Sequence, residues 1–156
     1  MANTMHKLDI QRSPVEEAGT DSSRNDFSIA YTLLRVTLGT NIALHGITRI
    51  MAGTGLFVAE LSKQFQATLL PHFSVVIFGY ALPWAEASIG LLVLFGVLTE
   101  WALIAGALLM ALLTFGTCLR QDWNVAGLQL IYAVVYFVLI AFRRYNRFAV
   151  DRLLSK

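Results

Sequence analysis

The sequence predicts an all-α integral membrane protein, a four-transmembrane-helix bundle with an amphipathic surface helix between the first and second spans. Three observations lead to this fold. Of the 156 residues, 56% are hydrophobic and only 14% are charged, against about 25% charged in an ordinary soluble domain. The chain then divides into four apolar runs, each near the roughly 20 residues that cross a bilayer as a helix. Very few residues separate the second run from the third, which forces a tight antiparallel hairpin.

The pattern divides the chain into three segments. Residues 1–26 are a polar tail that we expect to be disordered, with a docking arm for a soluble partner as the alternative. Residues 27–142 are the transmembrane domain, with spans at about 28–51, 73–98, 100–118 and 124–142. Residues 143–156 are a basic tail.

The distribution of Lys and Arg predicts the orientation. The two tails carry eight of these residues and the opposite side carries three. Positive charge collects on the cytoplasmic side of membrane proteins, so we expect a bacterial cytoplasmic (inner) membrane protein with both termini in the cytoplasm. The net charge of +2, placed at membrane edges, argues against a nucleic-acid partner.

The loop between the first two spans has its own periodicity. Phe57, Leu61, Phe65 and Leu69 recur every four residues, which is typical of an amphipathic helix on a membrane surface. Such a helix either covers the mouth of the bundle or acts as a lid over a ligand site.

Polar side chains inside the spans form the candidate site. Ionisable groups in hydrocarbon cost at least about 2.5–3.5 kcal/mol, so they are expected to face the bundle interior and to have partners. The third span instead carries small residues that favour close packing. On the first, second and fourth spans the candidates are Arg35, Asn41, His45, Arg49, Glu86, Gln129 and Tyr132, with Tyr136 on the same face as the last two.

Depth predicts which cation pairs with Glu86, the only carboxylate in the middle of a span. The rise per residue places Arg35 about 6 Å from the midplane on the cytoplasmic side and His45 about 9 Å away on the other. Either is able to hold Glu86 if the first two helices touch. Glu86 alone must serve Arg35, Arg49 and a charged His45, which leaves an unmatched positive site near the outer face. The polar residues then form a structural network that fixes helix pairing, or a site in which His45 and Arg49 bind a quinone carbonyl and Glu86 accepts a proton.

Most cofactors are not expected. Cys118 is the only cysteine, which excludes an intramolecular disulfide and a Cys-x-x-Cys centre. His45 and His72 differ by about 11 Å in depth, too far to share one haem iron. No ligand spacing for a metal and no phosphate or flavin motif is present. A quinone or quinol remains, with electrons supplied by a partner subunit.

Three segments resemble the DoxX-like family of small four-helix membrane proteins. They are Leu34-Arg35 with Gly39 and His45-Gly46, then Glu86 followed by Gly90-Leu91-Leu92 and Gly96, and lastly Asp122-Trp123 with Gln129-Leu130-Ile131-Tyr132. The resemblance implies a subunit or neighbour of an oxidoreductase.

Two functional hypotheses follow. In the first, the chain is a quinone-binding subunit of a redox enzyme in the inner membrane. In the second, it is a non-catalytic scaffold or chaperone, or a protein that handles a lipid-like molecule. Membrane lipid and either a redox subunit or a second copy of the chain are the expected partners.

Overall fold

The computed structural model describes the backbone of residues 14–154 and the side chains of residues 23–152. Within that part of the chain all regular structure is helical, which confirms the predicted fold class. The helices are α1 (Pro14–Ala52), α2 (Thr54–Gln64), α3 (His72–Phe95), α4 (Thr99–Leu119), α5 (Trp123–Ala141), a 3-10 turn (Arg143–Tyr145) and α6 (Val150–Leu154). Residues Ser23–Ala52 of α1, together with α3, α4 and α5, are long and apolar enough to cross a membrane.

The N-terminal tail lies only partly within the described residues. Residues 1–13 are outside them, whereas residues 14–26 are helical and continue α1. This part of the predicted tail is therefore a helical extension of the first span.

The closest helix packing joins α1 to α3. A Cβ atom added at Gly90 of α3 would lie 2.2 Å from the backbone nitrogen of Ala43, and one at Gly39 would lie 2.5 Å from the nitrogen of Leu94. Small residues let helix backbones approach in this way. On α4, where the sequence predicted small-residue packing, Gly106 lies against the ring of Tyr136 from α5.

The turn between α3 and α4 is as tight as the sequence predicted. α3 ends at Phe95, three residues before the predicted boundary, because Gly96 adopts a left-handed conformation with φ of 69°. Leu98 is also left-handed, and α4 begins at Thr99. We call this side of the bundle the hairpin end, and the opposite side, where α2 lies, the α2 end.

Candidate functional site

Glu86 forms an ion pair with Arg49, so the predicted pairing with Arg35 or His45 is wrong. The depth estimate took the first two spans to be centred on one plane. However, Gly46 lies against Pro83 and Ala87, which sets Glu86 level with the last turns of α1. The Arg49 side chain is long enough to reach the carboxylate from there.

The ion pair is covered from the α2 end. The guanidinium carbon of Arg49 lies 4.7 Å from the centre of the Phe57 ring in α2, a distance typical of a cation–π contact. The Glu86 side chain is 4% exposed and that of Arg49 is 30% exposed. Arg49 therefore extends from a buried carboxylate to the surface of the bundle, and α2 covers part of the Arg49 side chain.

A second polar group joins α1 to α5. The Tyr132 hydroxyl donates a hydrogen bond of 3.2 Å to the side-chain oxygen of Asn41. His45 follows Asn41 by one helical turn and is exposed, while Gln129 precedes Tyr132 by one turn on α5. The side-chain oxygen of Gln129 is buried without a hydrogen-bond partner among the described residues.

We give the name α1–α5 seam to the contact of Asn41 with Tyr132 together with the side chains that follow it along the two helices. These are His45 and Arg49, one and two turns from Asn41 on α1, and Gln129, one turn from Tyr132 on α5. The ring nitrogen Nδ1 of His45 lies 2.9 Å from the backbone oxygen of Asn41. Because a carbonyl oxygen only accepts, Nδ1 carries the proton. The other ring nitrogen, Nε2, is then left to accept a hydrogen bond when the ring is neutral and to donate one when it is protonated.

Tyr136 lies on the same face of α5 but points into the core rather than the seam. It is 1% exposed and belongs to the main hydrophobic cluster. Its hydroxyl has no hydrogen-bond partner among the described residues.

Arg35 is a predicted site residue that lies away from the seam, at the hairpin end of the bundle. It is 2% exposed and donates hydrogen bonds of 2.6 and 2.8 Å to the backbone oxygens of Val93 and Leu94, and one of 2.9 Å to that of Phe148. The last carbonyl groups of a helix lack partners and carry partial negative charge. Arg35 therefore caps the C-terminus of α3 and takes no part in the seam.

The sequence did not single out Asp151, which caps the neighbouring helix end. Its two carboxylate oxygens accept hydrogen bonds of 2.7 and 2.8 Å from the backbone nitrogens of Leu98 and Thr99. Partial burial acts to raise the pKa of Asp151, but the hydrogen bonds from Thr99 and Leu98 outweigh it, so the pKa lies below its ordinary value of 3.8. Asp151 is the only acidic residue in the basic C-terminal tail. This is the feature of the sequence that could have indicated its capping role.

The four apolar helices and their polar side chains define a multi-pass membrane protein with a polar seam among its spans. Within the described residues no group of three His, Cys, Asp or Glu side chains is arranged to hold a metal ion. A family model described as "Methylamine utilisation protein MauE" matches residues 28–121. This range covers more than half of the chain, and the chain belongs to the MauE family.

The resemblance to the DoxX-like family was therefore wrong. The segments that suggested it consist largely of Leu and Gly, which are common in membrane helices of any family. Comparison with the curated proteins and with the solved structures found no match. The MauE match includes Asn41, His45, Arg49 and Glu86, whereas Gln129 and Tyr132 follow it in the sequence.

Proposed function

We propose that this chain is a membrane subunit associated with a redox enzyme of methylamine utilisation, and that the α1–α5 seam binds the head group of a quinone or quinol. The family description supports the first part, because oxidising the carbon of a primary amine releases electrons that an acceptor must take up. A membrane quinone is an acceptor that the seam can reach from the lipid.

The exposure of His45 carries the second part of the proposal. His45 precedes Gly46, which contacts Pro83 and Ala87 near the middle of α3. A side chain at this height faces hydrocarbon, where an unpartnered polar group is costly. A ligand that arrives through the lipid and brings its own polar oxygen would supply the missing partner.

The seam has the chemistry to hold a quinone. Reduction of a quinone adds negative charge to its oxygens and consumes protons. The guanidinium group of Arg49, which is partly exposed, would stabilise that charge, while Nε2 of His45 would form a hydrogen bond with a carbonyl oxygen of the quinone. Glu86 would hold the Arg49 guanidinium in place. Electrons would come from the partner enzyme.

The charge distribution supports a bacterial inner membrane location with both termini in the cytoplasm. Basic side chains at the hairpin end include Arg143, Arg144 and Arg147, all exposed. Lys63 and Arg120 are the basic residues near the α2 end, beyond Arg49 of the seam.

The test is quinone retention by the purified protein in phospholipid nanodiscs that contain a defined amount of ubiquinone. We expect quinone to remain with the wild type after washing. His45→Ala should retain about three- to tenfold less, the loss expected for one hydrogen bond. His72→Ala is the matched control, because His72 is also exposed but begins α3 outside the seam. Equal retention by the two variants, or none by the wild type, would contradict the proposal.

A non-catalytic scaffold is the second candidate function. It is favoured by the internal pairing of Glu86 with Arg49 and by the capping role of Arg35, since both charges stabilise helix contacts. A scaffold requires the fold and no bound quinone. The double variant described in the Discussion separates these two functions.

A further inference from the structure

An apolar cavity lies at the α2 end, between α2, α3 and α4. Its volume is about 190 Å³. The walls are apolar and come from α2 and the turn after it, from α3 and from α4; they include Leu61, Phe65, Val75, Phe78, Leu112 and Gly116. We call it the α2 cavity.

A polar depression lies beside the α2 cavity. It is lined by Gln64, Arg120, Asp122 and Val125. The guanidinium carbon of Arg120 lies 5.4 Å from the centre of the Phe65 ring, so one aromatic side chain separates the polar surface from the apolar cavity. The Arg120 guanidinium is ion-paired with Asp122 over 3.1 Å, so an apolar space next to it matches a ligand with an apolar chain and an anionic head that competes with Asp122 for this cation.

Arg120 has hydrogen-bonding capacity left for such a head. It donates to the side-chain oxygen of Gln64 and, over 3.1 Å, to Asp122. Its Nε nitrogen is buried and has no partner among the described residues. Buried donors are normally satisfied, and a phosphate oxygen is a strong acceptor for a guanidinium group.

We propose that the α2 cavity binds one acyl chain of a phospholipid whose phosphate is held by Arg120. The location supports this ligand. α3 and α4 are membrane spans and the cavity lies towards one end of both, where chains and head groups of the surrounding bilayer meet. An apolar cavity does not hold ordered water, whereas a neighbouring acyl chain enters it without leaving hydrocarbon. This site is separate from the α1–α5 seam and does not depend on quinone binding.

A matched pair of glycine substitutions tests the cavity. A Cβ atom at Gly116 would lie 3.3 Å from the Phe65 ring, whereas one at Gly127 on α5 would meet nothing within 4 Å. Gly116→Leu should therefore place its side chain in the cavity, and Gly127→Leu should leave the cavity unchanged. Excluding two methylene groups of a bound chain lowers affinity by about tenfold.

The experiment is native mass spectrometry of the full chain taken from nanodiscs of dioleoyl phosphatidylglycerol into mild detergent. We expect one phospholipid on the wild type and on Gly127→Leu, and about tenfold lower occupancy on Gly116→Leu. Circular dichroism checks that the variants are folded. Should Gly116→Leu fail to fold, Leu112→Trp narrows the cavity from a half-exposed position.

The head group is tested by adding dioleoyl glycerol, which has the same chains and no phosphate. The wild type should prefer the phospholipid, and Arg120→Gln should lose that preference while keeping its helix content. The proposal is overturned if the glycine variants retain equal amounts of lipid, if the wild type binds both lipids equally, or if the retained molecule has the mass of a quinone.

Discussion

Removing Arg49 alone should destabilise the bundle, and removing Glu86 with it should restore most of the stability. In Arg49→Met the carboxylate of Glu86, whose side chain is 4% exposed, stays buried without its cation. The contact between Arg49 and Phe57 is lost as well. In the double variant Arg49→Met/Glu86→Met, no charge is left without a partner.

The burial of the pair sets the expected loss of unfolding free energy in Arg49→Met. Breaking a buried ion pair by removing one partner costs about 3–5 kcal/mol. Because the Arg49 side chain is 30% exposed, we expect a loss near the lower end, about 3 kcal/mol. Replacing both partners by apolar residues of similar size is often close to neutral. The coupling energy between the two positions is then the sum of the costs of the two single variants and should be at least about 3 kcal/mol.

The assay is a double-mutant cycle. Circular dichroism monitors the unfolding of each variant in mixed micelles and gives its free energy of unfolding. The control is the exposed ion pair of Arg143 and Glu100. A guanidinium nitrogen of Arg143 lies 2.5 Å from a carboxylate oxygen of Glu100, and the two side chains are 45% and 53% exposed. Exposed pairs couple by about 0.2–1 kcal/mol. A coupling for Arg49 and Glu86 no larger than that of the control pair would refute this account of the buried pair.

The stable double variant also separates the two candidate functions. If the seam binds quinone, the folded double variant should no longer retain quinone, because Arg49 is absent and cannot stabilise the carbonyl oxygens of the quinone. If the chain is a scaffold, the double variant should assemble with its partner as the wild type does, and no quinone should be found on either protein.

Three further predictions concern packing, the helix cap and orientation. Gly90→Ala should lower stability by about 1–3 kcal/mol through overpacking, because its Cβ would meet the backbone of α1, whereas Gly127→Ala should not; unfolding in mixed micelles compares them. Asp151→Ala should cost about 1 kcal/mol. The folded pKa of Asp151 lies below 3.8, so its contribution to stability is present above that pH and is lost as pH falls through the folded pKa. The free energy of unfolding should therefore decrease less steeply with acidification in the variant than in the wild type. A C-terminal fluorescent protein should be bright, and a C-terminal alkaline phosphatase inactive, if the C-terminus is cytoplasmic; the reverse would refute the orientation.

Local sequence patterns were sufficient for much of the fold. The apolar runs predicted the four spans, and the short separation between two of them predicted the hairpin between α3 and α4. The spacing of Arg35, Asn41, His45 and Arg49 placed them on one side of α1, and that of Gln129, Tyr132 and Tyr136 placed them on one face of α5. These predictions hold because helix periodicity and bilayer thickness act within a single segment.

The register between helices was decided only by the tertiary structure. Gly39, Gly46 and Gly90 allow α1 and α3 to approach at one particular offset, and that offset pairs Glu86 with Arg49 instead of Arg35. The same offset brings Arg35 to the carbonyl groups that end α3, while Asp151 returns from the end of the chain to cap α4. The sequence alone determined the four membrane spans and which of their faces are polar. It did not determine which polar groups meet, because that depends on close contacts between residues far apart in the chain.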